Sequence, residues 1–193
     1  MSIEHPLLID LPMPLVTKRL VLRPLQEGDG KVIFDATDAS RDTLERWLPW
    51  PKYVKKWQDS EQFARGSYAD VILRKSLVLG MFKEGEFLGT CGFNYFLWNI
   101  PSAEIGYWCK SSAQNQGYTQ EAVLALKNYG FETIGLKRIV ITCLDENEAS
   151  SRVAEKCGFS FETRAFGLLP NPVSSTTLAL AKRYVAFKDH ENK

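Results

Sequence analysis

Residues 17–23 (Thr-Lys-Arg-Leu-Val-Leu-Arg) alternate apolar and polar positions, which predicts a first strand stopped at Pro24. From Glu27 to about Lys75 the chain is charged and aromatic, with helical spacing at Val32, Phe34, Leu44 and Trp47. The stretch Trp47-Leu48-Pro49-Trp50-Pro51 interrupts that pattern, so two helices around a proline-rich elbow are expected. Two apolar runs, 76–83 and 86–96, are joined by Glu84-Gly85, a hairpin signal. A fourth strand is predicted at 103–110. The polar turn from Ser111 to Gly117 then leads into a periodic helix with Ala122, Leu126 and Tyr129 on one face. A buried strand at 138–144 and a short helix at 150–157, ending at Gly158, come next. Strands at about 159–166 and 176–183 flank a proline-containing loop. The order β, α, α, three strands, α, β, α, β, β predicts a mixed α/β sheet with helices on its faces. Nothing marks an internal boundary, so a single domain over 1–193 is expected, with its core at about 15–187.

Composition narrows the chemistry. The 193 residues are 45% hydrophobic and 24% charged, with 24 basic and 23 acidic side chains and a formal net charge of +1. Such a balance gives no global attraction to nucleic acid or to an anionic membrane. The basic group Lys52, Lys55, Lys56 reads as a solvated face. No apolar stretch is long enough for a membrane span, and with Glu4, Asp10, Pro12 and Pro14 in the first residues no signal peptide is expected. Cys91, Cys109, Cys143 and Cys157 form no CxxC pair and sit among apolar residues, so free thiols and a cytoplasmic location are expected. The two histidines, His5 and His190, lie near the chain ends. A Ser-His-Asp triad, a histidine metal cluster and a histidine base are therefore disfavoured.

The segment Gln114-Asn115-Gln116-Gly117-Tyr118-Thr119 lies between a strand and a helix. Unpaired backbone amides and the dipole at a helix start favour an anion there, and Gly117 admits close backbone approach. It reads equally as a plain strand-to-helix turn. The sequence contains neither GxxxxGK[ST] nor GxGxxG, so the P-loop and dinucleotide-fold alternatives lose their main support.

Ile105-Gly106-Tyr107-Trp108 precedes this turn. Asn147-Glu148-Ala149-Ser150 and Val153-Ala154-Glu155-Lys156-Cys157-Gly158-Phe159 follow the next strand. With these segments in order, nearly the whole chain resembles the GNAT superfamily of N-acetyltransferases, in its ribosomal-protein branch (RimJ/RimL-like). The resemblance implies a mostly antiparallel seven-stranded mixed sheet splayed between its fourth and fifth strands. It implies acetyl-CoA as co-substrate and no metal.

The family's [Q/R]-x-x-G-x-[G/A] diphosphate loop is matched by Gln114 and Gly117, with Asn115, Gln116 and Tyr118 between and beside them. Thr119 departs from the small residue usual at its place. By the same resemblance, backbone groups of Trp108, Cys109 and Lys110 are expected to meet the pantetheine arm, as is Asn147. The helix tyrosine that protonates the thiolate in many relatives is Ala154 here, and the branch's serine is matched by Ser150. Ser150 reads alternatively as a helix N-cap. The loop 167–173 lacks the acid that RimL-like enzymes carry there. Glu104 sits where other relatives hold a glutamate that activates the amine, or else is an ordinary strand glutamate.

The implied reaction is acetyl transfer to an amine, that of a protein N-terminus beneath a 35–75 lid carrying Trp47 and Trp50. A small amine (polyamine, aminoglycoside or metabolite), a non-catalytic acyl-CoA sensor and an interaction module that binds no CoA remain the alternatives. Analogy with relatives suggests a homodimer.

Overall fold

The computed structural model describes residues 3–174 and 177–188. One eight-stranded sheet runs in the order β1-β2-β3-β4-β5-β6-β8-β7. The strands are β1 (Leu15–Val16), β2 (Val21–Pro24), β3 (Leu77–Lys83), β4 (Glu86–Leu97), β5 (Ser102–Cys109), β6 (Arg138–Leu144), β7 (Ser160–Pro170) and β8 (Leu178–Phe187). The helices are α1 (Gly30–Asp38), α2 (Arg41–Glu45), α3 (Trp57–Ile72), α4 (Tyr118–Tyr129) and α5 (Glu148–Lys156). All neighbouring strands pair antiparallel except β5 with β6.

The count of seven strands is corrected to eight because a two-residue strand, β1, precedes the predicted first strand, whose opening residues form the turn that leads into β2. The Thr17 amide donates to the Leu20 carbonyl at 2.9 Å, and the Leu20 amide donates to the Thr17 hydroxyl at 3.0 Å. A threonine bonded this way closes a turn inside an alternating segment. The elbow region holds three helices, not two. In α1 the buried positions are Gly30, Ile33, Ala36 and Thr37, whereas Val32 is exposed. β7 runs on to Pro170, because a register irregularity between Phe166 and Pro170 accommodates a residue that cannot donate to the ladder. Within the last predicted strand Thr176 lies outside the described residues, as does His190. His5 is exposed, and the four cysteines are free and buried.

The sheet has two covered faces. Leu77, Leu79, Met81, Ile105, Cys109, Ile139 and Ile141 pack with α4 and with Ala154 of α5. Phe82, Phe87 and Trp108 pack with Ile33 of α1, Leu44 of α2 and Ala64 of α3. Strand periodicity divides β5 between them, sending Ile105, Tyr107 and Cys109 one way and Glu104, Gly106 and Trp108 the other.

The site follows from how little of β5 is paired on its β6 side. The parallel register covers Ser102↔Arg138, Ala103↔Ile139 and Glu104↔Val140, and then the strands part. No helix among the described residues is long and apolar enough to cross a membrane.

Candidate active site

Where β5 leaves β6 a cleft of about 550 Å³ opens. Its walls come from Glu104 to Cys109 of β5 and Ile141 to Leu144 of β6, with the start of α4, one face of α5 and Trp47-Leu48-Pro49 around them. It brings together Trp47, Glu104, Trp108, Cys109, Gln114, Asn115, Gly117, Tyr118, Thr119, Asn147 and Ser150. Lys110, Gln116 and Trp50 are not among its lining residues.

The turn ahead of α4 is held in shape from several sides. Asn115 (φ 59°) and Gly117 (φ 78°) both adopt left-handed backbone, and Gly117 is the N-cap position of α4. The Ser111 amide donates to the Ser40 hydroxyl at 2.9 Å. Gln114 Nε2 donates to the Cys109 carbonyl at 3.1 Å, and Gln116 Nε2 to the Ser112 carbonyl at 3.1 Å. Arg19 was not singled out from the sequence, because its partners lie about a hundred residues away. Its Nη1 donates to the Gln116 carbonyl at 2.9 Å and its Nε to Glu121 at 2.6 Å, while the guanidinium lies 4.5 Å from the Tyr118 ring centroid. The first amides of α4 therefore face the cleft from a preformed turn, the arrangement that suits an anion. Arg152 and Lys156, one turn apart on α5, add two cations to the lining.

On β5, the Lys110 amide donates to the Leu88 carbonyl at 2.8 Å, and its ammonium pairs with Glu86. Antiparallel alternation then turns the backbone groups of Cys109 and Tyr107 to the open edge, in place of those of Trp108 and Lys110. Burial pushes the Cys109 thiol up, and the neighbouring Thr119 hydroxyl acts in the opposite direction.

Across the gap, Asn147 caps α5, its Oδ1 accepting the Ser150 amide at 3.1 Å. Ser150 is therefore the third residue of the helix, and the capping role considered for it belongs to Asn147. The Ser150 hydroxyl lies 2.8 Å from the Tyr107 hydroxyl. Tyr107 entered the sequence reading only as part of a strand motif. Its contact with a residue 43 positions on is invisible to spacing.

Glu104 is 9% exposed and lies at the last paired step of the splay. Its carboxylate accepts the Thr142 hydroxyl at 3.0 Å and the Tyr95 hydroxyl at 3.4 Å, and Arg183 Nε donates to Thr142 Oγ1 at 3.2 Å. The Tyr95 pKa is raised, first by burial and next by the Glu104 charge. Glu104 thus presents a carboxylate to the cleft that is oriented by hydroxyls, with Arg183 reaching it through Thr142. Among the described residues no group of three or more His, Cys, Asp or Glu is placed to hold a metal ion.

The two tryptophans of the elbow part ways. Trp47 lines the cleft with the Arg46 guanidinium 4.5 Å from its ring centroid, whereas Trp50 packs against Trp108 at 5.7 Å between centroids.

A family model described as an acetyltransferase (GNAT) domain matches residues 19–160, which contain the turn, the splay and α5. The chain belongs to the GNAT acetyltransferase family. It is 31% identical over 150 residues to the ribosomal-protein-serine acetyltransferase of Escherichia coli (strain K12), an alignment covering 76% of this chain and 82% of that one. Its fold is similar to that of RimL, a ribosomal L7/L12 alpha-N-protein acetyltransferase in complex with coenzyme A. The TM-score is 0.83 at 23% identity, covering 91% of this chain and 98% of that one. It is also similar to the microcin C7 self-immunity acetyltransferase MccE in complex with acetyl-CoA and AMP. There the TM-score is 0.81 at 23% identity, covering 89% and 94% of the two chains. At these identities the structural likeness shows the fold. The family match makes the chain an acetyltransferase, and in sequence it is similar to a ribosomal-protein acetyltransferase.

The different surroundings of the acetyltransferase's two elbow tryptophans separate their expected phenotypes. Trp47→Ala is expected to raise the acceptor KM about tenfold, the effect of losing one apolar contact, with the acetyl-CoA KM little changed. Trp50→Ala is expected to destabilise the fold by about 3 kcal/mol, the low end for removing a large aromatic from a packed site, and to lower the melting temperature. Steady-state kinetics beside a thermal melt of each variant distinguish the two. Equal effects of both substitutions on acceptor KM would contradict the assignment.

Proposed function

We propose that this acetyltransferase moves the acetyl group of acetyl-CoA to the α-amine of a protein N-terminus. The observation that carries this reading is the charge of the cleft. Among the described residues lining it Glu104 is the one carboxylate, beside Arg152 and Lys156. A polycationic acceptor such as a polyamine or aminoglycoside needs several carboxylates, whereas a single α-ammonium needs one. The names of the curated relative and of RimL, both acting on ribosomal proteins, support the same acceptor class. Four unpaired thiols suit the reducing cytoplasm, where such an acceptor is found.

In this reading the α4 turn holds the diphosphate, with Arg152 and Lys156 near it. The open edge of β5 at Tyr107 and Cys109 takes the pantetheine arm as an added strand. Holding amine and thioester together supplies several kcal/mol of the barrier reduction. Glu104 takes the ammonium proton directly or through water, the C–N bond forms and the C–S bond breaks, the nitrogen releases its second proton to solvent, and Ser150 donates a proton to the departing sulfur. A backbone amide at the open edge polarises the thioester carbonyl.

Glu104→Gln keeps the shape and removes the charge. Acetyl-CoA binding is expected to survive while kcat/KM falls roughly a hundredfold. The loss is expected to be greatest below about pH 7.7, where an α-amine arrives protonated. Wild-type kcat/KM across the pH range would remove Glu104 from the mechanism. The acceptor itself is tested by measuring CoA release with N-terminal peptides of ribosomal proteins beside polyamines and aminoglycosides. Peptide-dependent release supports the reading, and release with polyamines or aminoglycosides alone overturns it. Tight acetyl-CoA binding without transfer would make the chain a sensor instead.

A further inference from the structure

Tyr107 offers one hydroxyl proton to two acceptors on the same residue. Its oxygen lies 2.8 Å from Ser150 Oγ and 3.2 Å from the Ser150 carbonyl. Two hydrogen-bond patterns fit these distances. In the first, Tyr107 donates to the carbonyl and Ser150 donates its own proton to the Tyr107 oxygen, so the serine proton is occupied. In the second, Tyr107 donates to Ser150 Oγ and the serine proton is free to point into the cleft. A hydroxyl rotor passes between them without moving a heavy atom.

Resting on the proposed role of Ser150, we propose that Tyr107 is a positioning residue that turns Ser150 into a proton donor for the departing CoA sulfur. As the C–S bond breaks, the serine O–H swings from the Tyr107 oxygen to the sulfur. The Tyr107 O–H swings from the Ser150 carbonyl to Ser150 Oγ. The serine proton passes to sulfur, and the tyrosine hydrogen bond bears on the oxygen that gains negative charge. Solvent then returns a proton to Ser150, and Tyr107 remains protonated throughout.

Three observations support this division of labour. Burial drives the Tyr107 hydroxyl well above its ordinary pKa, the Ser150 hydrogen bond acts against that shift, and the buried thiols Cys143, Cys91 and Cys157 add to it. Tyr107 is thus held neutral and able to donate. Burial likewise raises Cys143, while the hydroxyls of Ser151 and Ser150 act against that shift, so Cys143 stays a thiol beside the serine. Finally, Tyr107 lies beyond Glu104, where β5 has parted from β6, so its hydroxyl crosses the gap to the first turn of α5. A donor fixed on one wall therefore sets the rotamer of a hydroxyl on the other.

The test combines Tyr107→Phe, Ser150→Ala and the double variant, each measured for kcat, acetyl-CoA KM and melting temperature. Tyr107→Phe is expected to lower kcat roughly tenfold, the effect of one hydrogen bond to a group developing charge. Acetyl-CoA KM and melting temperature are expected to stay near wild type, which a purely structural strut would not allow. In the Ser150→Ala background the second substitution is expected to change kcat less than about twofold, because both act on one proton. Multiplying losses in the double variant would overturn the coupling, as would a Tyr107→Phe enzyme with wild-type kcat when Ser150→Ala is impaired. Full activity of Ser150→Ala alone would instead overturn the proposed role of Ser150, and the role of Tyr107 with it.

Discussion

Gly117→Glu is expected to abolish the thermal stabilisation that acetyl-CoA gives the wild-type protein. A ligand at a hundred times its Kd stabilises by about 2.7 kcal/mol, which for a chain of this size raises the melting temperature by roughly 5–10 °C. Gly117 stands at the N-cap of α4 with φ at 78°, a conformation that a side chain adopts only under strain. The Glu substitution places a side chain and a negative charge where the diphosphate is proposed to sit. The backbone strain lowers the resting melting temperature, so the informative quantity is the shift on adding acetyl-CoA. Gly117→Ala serves as the control, because it carries the same strain without the charge and is expected to keep part of the shift. An unchanged shift in Gly117→Glu would place the coenzyme elsewhere.

Ser150→Ala is expected to lower kcat roughly a hundredfold while leaving the melting temperature within about 2 °C of wild type. The second half of that expectation comes from the structure. Had Ser150 been the N-cap, alanine would have cost about 1 kcal/mol of stability. The cap is the Asn147 side chain, and it binds the Ser150 backbone amide, which alanine also supplies. The Tyr107 hydroxyl also retains the Ser150 carbonyl as an acceptor. Stability and turnover therefore separate cleanly in this variant. A correctly folded Ser150→Ala protein with wild-type kcat would exclude the serine from leaving-group protonation.

The parts of the fold that were legible in the sequence are those fixed by local chemistry. Glu84-Gly85 adopts positive φ at both residues and joins β3 to β4, as a two-residue hairpin connection demands. The apolar run 138–144 became β6 at those bounds, and Gly158 ends the α5 segment at φ 76°. Where side chains interfere with the pattern, the reading drifted. The Thr17 hydroxyl closes a turn at the start of the alternating segment, which leaves β1 ahead of it and β2 within it, and in α1 a buried polar residue, Thr37, shares the inward face with Ile33 and Ala36, which apolar spacing does not show. In the site, the turn and Ser150 were readable because they sit in short ordered motifs. Arg19, Thr142 and Tyr107 were not, since each takes part through a partner far away in the chain, and the sequence does not tell that Trp47 lines the cleft while Trp50 packs against Trp108.

Transfer to a free α-amine is open to a direct measurement. A ribosomal-protein N-terminal peptide containing an internal lysine is offered with acetyl-CoA in two forms, one with a free N-terminus and one with the α-amine blocked. The position of any added acetyl group is read by mass spectrometry. Acetylation is expected at the α-amine of the free peptide, with none of the blocked one. Acetylation of the lysine in the blocked peptide, at a rate equal to that of the free peptide, would contradict it.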